Sequence, residues 1–174
     1  DRETRLVYLF ENRIRLRVNI YYQKGSLAVS LKLIPIKIPT LAELRLPKAV
    51  RGLIKEQRGL IIVGGPYGSG RTTTVASMIE EINNSRSENI ITIEKPIEYI
   101  FANNKSIIKQ REVGRDVNSF TDALDYCRQE DVNLVVVGET EEPEVPPLIV
   151  DLVTSGRLIF YVMNTISVVQ TIEQ

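Results

Sequence analysis

Four short apolar runs constrain the fold of this chain more than any other feature: GLIIVGG (59–65), NIITIE (89–94), NLVVVGE (133–139) and RLIFYVM (157–163). Each is continuous rather than alternating, the pattern of a strand covered on both faces of a parallel sheet. Helical periodicity fills the intervals. Val75, Met78, Ile79 and Ile82 recur at i, i+3, i+4, i+7, and so do Phe120, Ala123, Leu124 and Cys127. Ser119 and Asp122 have capping-box spacing, and a third helix is expected from Pro146–Pro147 to just before Gly156. Strands alternating with helices predict an α/β core with a mainly parallel sheet, helices on both faces and right-handed crossovers.

The first 34 residues follow a different rule. RIRLRVNI (13–20) alternates strictly, with Ile14, Leu16, Val18 and Ile20 on one face and Arg13, Arg15, Arg17 and Asn19 on the other. LAVSLKLI (27–34) alternates too, and Gly25 between them predicts an antiparallel hairpin with one buried face. By periodicity alone, the arginines belong to the solvated face. PIKIP (35–39) blocks helix and central strand and reads as a linker. Thr40 and Glu43 have capping-box spacing, and Pro47 suits the first turn of a helix running to about Gln57.

Composition removes several chemistries. The chain contains no histidine, which excludes Ser-His-Asp and Cys-His nucleophiles, HExxH metal sites and an imidazole base within it. Acid–base work falls to carboxylates. The single cysteine, Cys127, forms no internal disulfide and reads as a small buried apolar residue. Twenty-two basic and twenty-two acidic residues cancel, so nothing global favours nucleic acid or an anionic membrane. No apolar run reaches transmembrane length, and no signal peptide opens the chain, so no direct membrane insertion is expected. Because Asp1 stands among charged residues and Gln174 ends a helix-like pattern, the chain is expected to be a fragment or a reduced paralogue.

The strongest local motif is Gly65-Pro66-Tyr67-Gly68-Ser69-Gly70-Arg71-Thr72-Thr73. It matches the phosphate-loop pattern G-x-x-x-x-G-K-[ST] except that Arg71 replaces lysine. A buried strand leads in and an amphipathic helix leads out, a context that a plain strand-to-helix turn rarely combines with this spacing. Glycines allow consecutive amides to converge on phosphates at the positive end of the helix. In this motif Thr72 offers its hydroxyl to magnesium. Arg71 keeps the charge but brings a longer planar fork, which alters the geometry near a terminal phosphate. Glu98 and Glu139 each follow a core strand, at the carboxyl ends where α/β ligand sites form. Taken alone each is a solvated loop carboxylate; beside the phosphate loop each is assigned to the site.

At these residues the sequence resembles the type II/IV secretion and type IV pilus ATPases, nearest to their pilus retraction (PilT-like) branch. The carrying segments are RLRVNIYYQKGSLAVSLKLIPIKIPTLAELRLP, GLIIVGGPYGSGRTTTVASMIEEIN, IITIEKPIEYIFANNKSIIKQREVGRD, LVVVGE and TSGRLIFYVMNTISVVQTIEQ. KSIIKQREVGRDVNSFTDAL is far more specific than a phosphate loop alone. The resemblance implies a RecA-like core over 41–174 lacking its C-terminal part, a linker at 35–40, and part of a small α+β, PAS-like domain over 1–34. It implies a cytoplasmic subunit of a hexameric ring, homomeric or mixed with a paralogue, held at the inner face of the cell membrane by a platform protein. ATP and magnesium are the implied cofactors, with Glu98 the catalytic glutamate, Glu139 the Walker B residue, and Arg15 and Arg17 reaching phosphates from the N-terminal domain.

The sequence departs from the family pattern at Arg71 and Lys95, where lysine and aspartate are expected, and at Asn133, Gln129 and the Asp131-Val132 pair. Arg157 and Asn164 stand where the family has histidines. These departures are expected to surround the terminal phosphate. Two functions follow: an ATP-hydrolysing motor subunit, or a hydrolysis-deficient subunit that binds nucleotide or fills ring positions. A nucleic-acid motor shares the core but has no basic, aromatic-interleaved stripe to support it.

Overall fold

The computed structural model describes residues 3–11 and 14–173, and Arg13 lies outside them. Three strands, β1 (Glu3–Phe10), β2 (Ile14–Gln23) and β3 (Ser26–Ile34), form an antiparallel sheet in that order. The expected hairpin is β2–β3. Lys24 and Gly25, at φ 51° and 79°, make the two-residue turn whose twist suits paired strands. β1 extends this beyond the hairpin read from sequence.

The second sheet has five parallel strands in the order β4-β8-β7-β5-β6. They are β4 (Gly59–Gly65), β5 (Asn89–Glu94), β6 (Ile107–Glu112), β7 (Leu134–Val137) and β8 (Leu158–Asn164). Four come from the apolar runs. β6 was not legible, because IIKQRE has four consecutive polar residues after two isoleucines and is only half-buried, as suits a sheet edge.

Continuous apolar strands supply two cores at once. Leu134 and Val136 of β7, with Leu158, Phe160 and Val162 of β8, pack beneath Val75, Met78, Ile79 and Ile82 of α2 (Arg71–Ser85). Val135, Val137, Ile159 and Tyr161 point the other way. They meet Phe120, Ala123, Leu124 and Cys127 of α3 (Phe120–Gln129), and Ile149 and Leu152 of α4 (Val145–Thr154). Each fully buried side chain of this size contributes about 1.5–3 kcal/mol. Ser119 caps α3 by accepting the Asp122 amide at 3.0 Å, and α4 begins around its two prolines as expected.

The helix expected from Pro47 to Gln57 shrinks to α1 (Val50–Leu53). The Thr40–Glu43 capping box does form, with Oε2 of Glu43 2.7 Å from the Thr40 amide. The turn it starts ends at Arg45, at φ 53°, and Gly52 weakens the next one. A last helix, α5, spans Val168–Glu173.

The small sheet also reverses an expectation. Strand register puts Leu27, Val29, Leu31 and Leu33 on one face, all more than half exposed. The arginine face is the one turned to the larger sheet: Ile34, beside Arg15 in register, packs on Ala76 and Tyr99.

Candidate functional site

The phosphate loop joins β4 to α2 and is exposed from Pro66 to Gly70. Gly68 and Gly70 sit at φ 81° and 91°, where a Cβ is disfavoured. Gly70 is also the N-cap, and no side chain caps α2. The first amides of the helix therefore face the loop without a protein acceptor from a cap, a ready seat for an anion. The inside of the loop is tight: a Cβ on Gly65 would stand 2.6 Å from Oγ of Ser69 and 3.6 Å from Cδ of Arg71.

Arg71 does not extend into solvent. Its side chain is 7% exposed and lies back over the loop, with Nη2 donating to Oε2 of Glu139 at 3.0 Å. Nη1 is buried and has no partner. Glu139 reaches this position because Gly138 closes β7 against β5. The Gly138 amide donates to the Ile93 carbonyl at 2.8 Å, and a Cβ there would meet that oxygen at 3.1 Å.

The segment after β5 forms the second wall. Glu98 is buried and accepts from Nη1 of Arg17 at 2.7 Å. Arg15 donates through Nη2 to the Ile97 carbonyl at 3.1 Å. Tyr99 shares a 3.0 Å hydrogen bond with Oγ1 of Thr73, and the Ile97 amide donates to Glu112 at 3.0 Å. The small sheet is thus fastened to the site through the residues that periodicity alone would leave in water. Tyr67 adds to this clasp: its exposed ring lies 5.9 Å from Cζ of Arg17 and 5.7 Å from Nζ of Lys32.

Between these walls is a cavity of about 80 Å³, lined by Arg17, Thr72, Glu94, Glu98 and Glu139 over Val75 and Val136. Glu94 was not singled out from sequence. Burial pushes its carboxyl up to about 7, against hydrogen bonds from Thr92 at 2.7 Å and Gln110 at 3.3 Å. Its one signal was a carboxylate closing an otherwise apolar strand.

The structure brings Gly65–Thr73, Glu98, Glu139, Arg15 and Arg17 to one end of the sheet. It does not gather the departures there. Lys95 and Asn164 lie at that end, both exposed. Asn133 accepts the Asn89 amide at 2.8 Å, at the strands' amino ends. Arg157 donates there to Oγ of Ser155 at 2.6 Å and to the Glu130 carbonyl at 3.1 Å. Seven residues of β8 separate Arg157 from the loop end of the sheet, roughly 20 Å at strand rise. Only Arg71, Lys95 and Asn164 remain near the phosphate loop within this chain.

Thr72 and Glu139 are the residues that the motif assigns to magnesium. Oε2 of Glu139 is instead taken by Arg71 at 3.0 Å, so a divalent cation on this carboxylate would sit beside a guanidinium charge. In this arrangement the donor set does not fit a divalent cation.

Comparison with known proteins places the chain. Residues 14–174 match the family model of the type II/IV secretion system protein. The chain is 36% identical over 160 residues to the type IV pilus retraction ATPase PilT of Pseudomonas aeruginosa, covering 92% of this chain and 46% of that protein. It is 35% identical to a twitching motility protein of Neisseria gonorrhoeae, over 94% of this chain and 44% of the relative. A crystal structure of the pilus retraction motor PilT with bound ADP superposes with a TM-score of 0.90 at 41% identity, covering 99% of this chain and 50% of that one. The chain therefore spans about half the length of the relatives it matches. The P-loop α/β core, the antiparallel sheet before it and the matched length agree: this chain belongs to the type II/IV secretion system protein family.

Proposed function

We infer that the chain is the nucleotide-binding portion of an ATP-driven motor subunit of type IV pilus retraction or a related secretion system. One observation carries this: Arg71, Glu139, Glu98 and Arg17 come from four separate segments and converge beside one glycine loop. Loop amides and the free Nη1 of Arg71 receive phosphate oxygens. Arg17 holds the Glu98 carboxylate in place, where it can orient an attacking water and accept its proton. Glu94, its carboxyl raised by burial to about 7, keeps its proton in part of the population at neutral pH and can then donate a hydrogen bond into the same cavity.

On this reading residues 1–34 belong to the N-terminal domain, 35–40 to a linker and 41–174 to the core. The subunit assembles in a hexameric ring that acts through a membrane platform protein from the cytoplasmic side. No helix among the described residues is long and apolar enough to cross a membrane. ATP is the ligand; magnesium belongs to the family pattern and is met by Thr72 and Glu139 only if Arg71 lets go. The Arg71–Glu139 pair favours a second reading, a subunit that binds ATP and turns it over slowly or not at all.

Steady-state ATP turnover by the purified chain decides between them, with Glu98→Gln as control. A motor subunit shows turnover that the substitution lowers at least a hundredfold. Turnover indistinguishable from the control assigns the chain to the second reading, and absent nucleotide binding removes both.

A further inference from the structure

We propose that the Arg71 guanidinium takes the place of the divalent cation, so that this site binds nucleotide phosphates without magnesium. The inference rests on the nucleotide-binding reading above.

In phosphate loops with lysine, a divalent ion held by the loop hydroxyl and the Walker B carboxylate bridges that side of the site to phosphate oxygens. Here the bridge is built from protein. Arginine is planar and presents several donors in a fixed fork, whereas lysine is a point charge on a flexible stem. One prong of the Arg71 fork is spent on Oε2 of Glu139 at 3.0 Å. The other, Nη1, is enclosed by protein and has no acceptor.

A buried, unpaired charged donor is costly, and an anion delivered to the adjoining loop would supply the acceptor that Nη1 lacks. The stem runs past Gly65, whose missing Cβ leaves room for it: a Cβ there would stand 3.6 Å from Cδ of Arg71. Drawing Arg71 off Glu139 to admit a cation would strip a 7%-exposed guanidinium of its only charged partner among the described residues. A phosphate on Nη1 leaves that pair intact and completes the fork.

A charge-assisted hydrogen bond from Nη1 to a phosphate oxygen is strong and needs no metal. The ligand class is thus a nucleoside di- or triphosphate as the free anion.

The test is calorimetric titration of the full chain with a non-hydrolysable ATP analogue, once in excess magnesium and once in EDTA. The expected dissociation constants agree within threefold. Arg71→Lys frees Glu139, and its affinity is expected to fall at least tenfold in EDTA relative to magnesium. Wild-type binding that weakens tenfold or more in EDTA overturns the proposal while leaving the nucleotide site standing. An Arg71→Lys variant as indifferent to magnesium as the wild type overturns Arg71 as the cause. The wild-type comparison needs no variant to fold. Absence of binding under both conditions removes the nucleotide reading itself, and this proposal with it.

Discussion

The two ends of the parallel sheet are made by the same strands and finished in opposite ways. At the amino ends, polar side chains are spent on the backbone: Asn133 accepts the Asn89 amide, and both terminal nitrogens of Arg157 have acceptors. At the carboxyl ends, α2 starts without a side-chain cap, and Arg71 keeps a buried nitrogen unpaired. Each arginine keeps one buried nitrogen unpaired, Nε in Arg157 and Nη1 in Arg71, but Arg71 is buried beside the phosphate loop and Arg157 is half-buried at the far end of the sheet. The departures from the family pattern divide along the same line. Arg157 and Asn133 bond to structure at the amino ends, while Arg71 lies beside the phosphate loop.

Substitution of the two arginines separates these roles most widely. Arg71→Met should lower affinity for a nucleotide on the order of a hundredfold by calorimetry, since it deletes a charge-assisted phosphate contact. Arg157→Met should leave affinity within twofold. Equal losses in both variants would erase the contrast between the ends.

Glu94 gives the next effect, in stability rather than binding. Its folded-state value of about 7 lies above the ordinary 4.5. Between these values the folded protein holds a proton that the unfolded chain has released, so stability falls as pH rises from 4.5 to 7 and levels off above. Glu94→Gln should flatten that fall and recover on the order of 2–3 kcal/mol at pH 7.5 in urea unfolding. A wild-type stability that is flat across this interval would contradict the burial of the carboxyl.

Smaller changes sharpen the picture. Arg157→Met should cost about 1–2 kcal/mol of stability through lost hydrogen bonds to carbonyls. Tyr67→Leu should weaken the clasp between the small sheet and the loop by only about 0.5–1 kcal/mol, because its ring is exposed. Thermal unfolding ranks the two, and the reverse order would place the clasp, not the sheet's amino end, as the tighter structure.

The core was legible because double-faced burial leaves continuous apolar runs, and α2 and α3 because their apolar residues fall on one helical face. The phosphate loop was legible because glycine spacing reflects backbone angles, as φ at Gly68 and Gly70 shows. What escaped was set by tertiary contact. Alternation in β2 and β3 shows that two faces differ, yet it does not say which one meets the neighbouring sheet. Arg15 and Arg17 are drawn inward by the Ile97 carbonyl and Glu98, which are more than eighty positions away. Glu94 carried only the weak signal of a carboxylate closing an apolar strand, and one of its hydrogen-bond partners, Gln110, lies on the unread edge strand. Distance from the loop likewise could not be read at Arg157, since β8 runs the length of the sheet.

The central claim is that one end of this sheet is a phosphate site and the other is finished structure. Amide hydrogen exchange with and without a saturating non-hydrolysable ATP analogue tests it directly. The account predicts slower exchange at residues 68–73, with residues 131–133 and 155–157 unchanged. Unaltered exchange across 68–73, or protection centred on the amino ends of the strands, would contradict it.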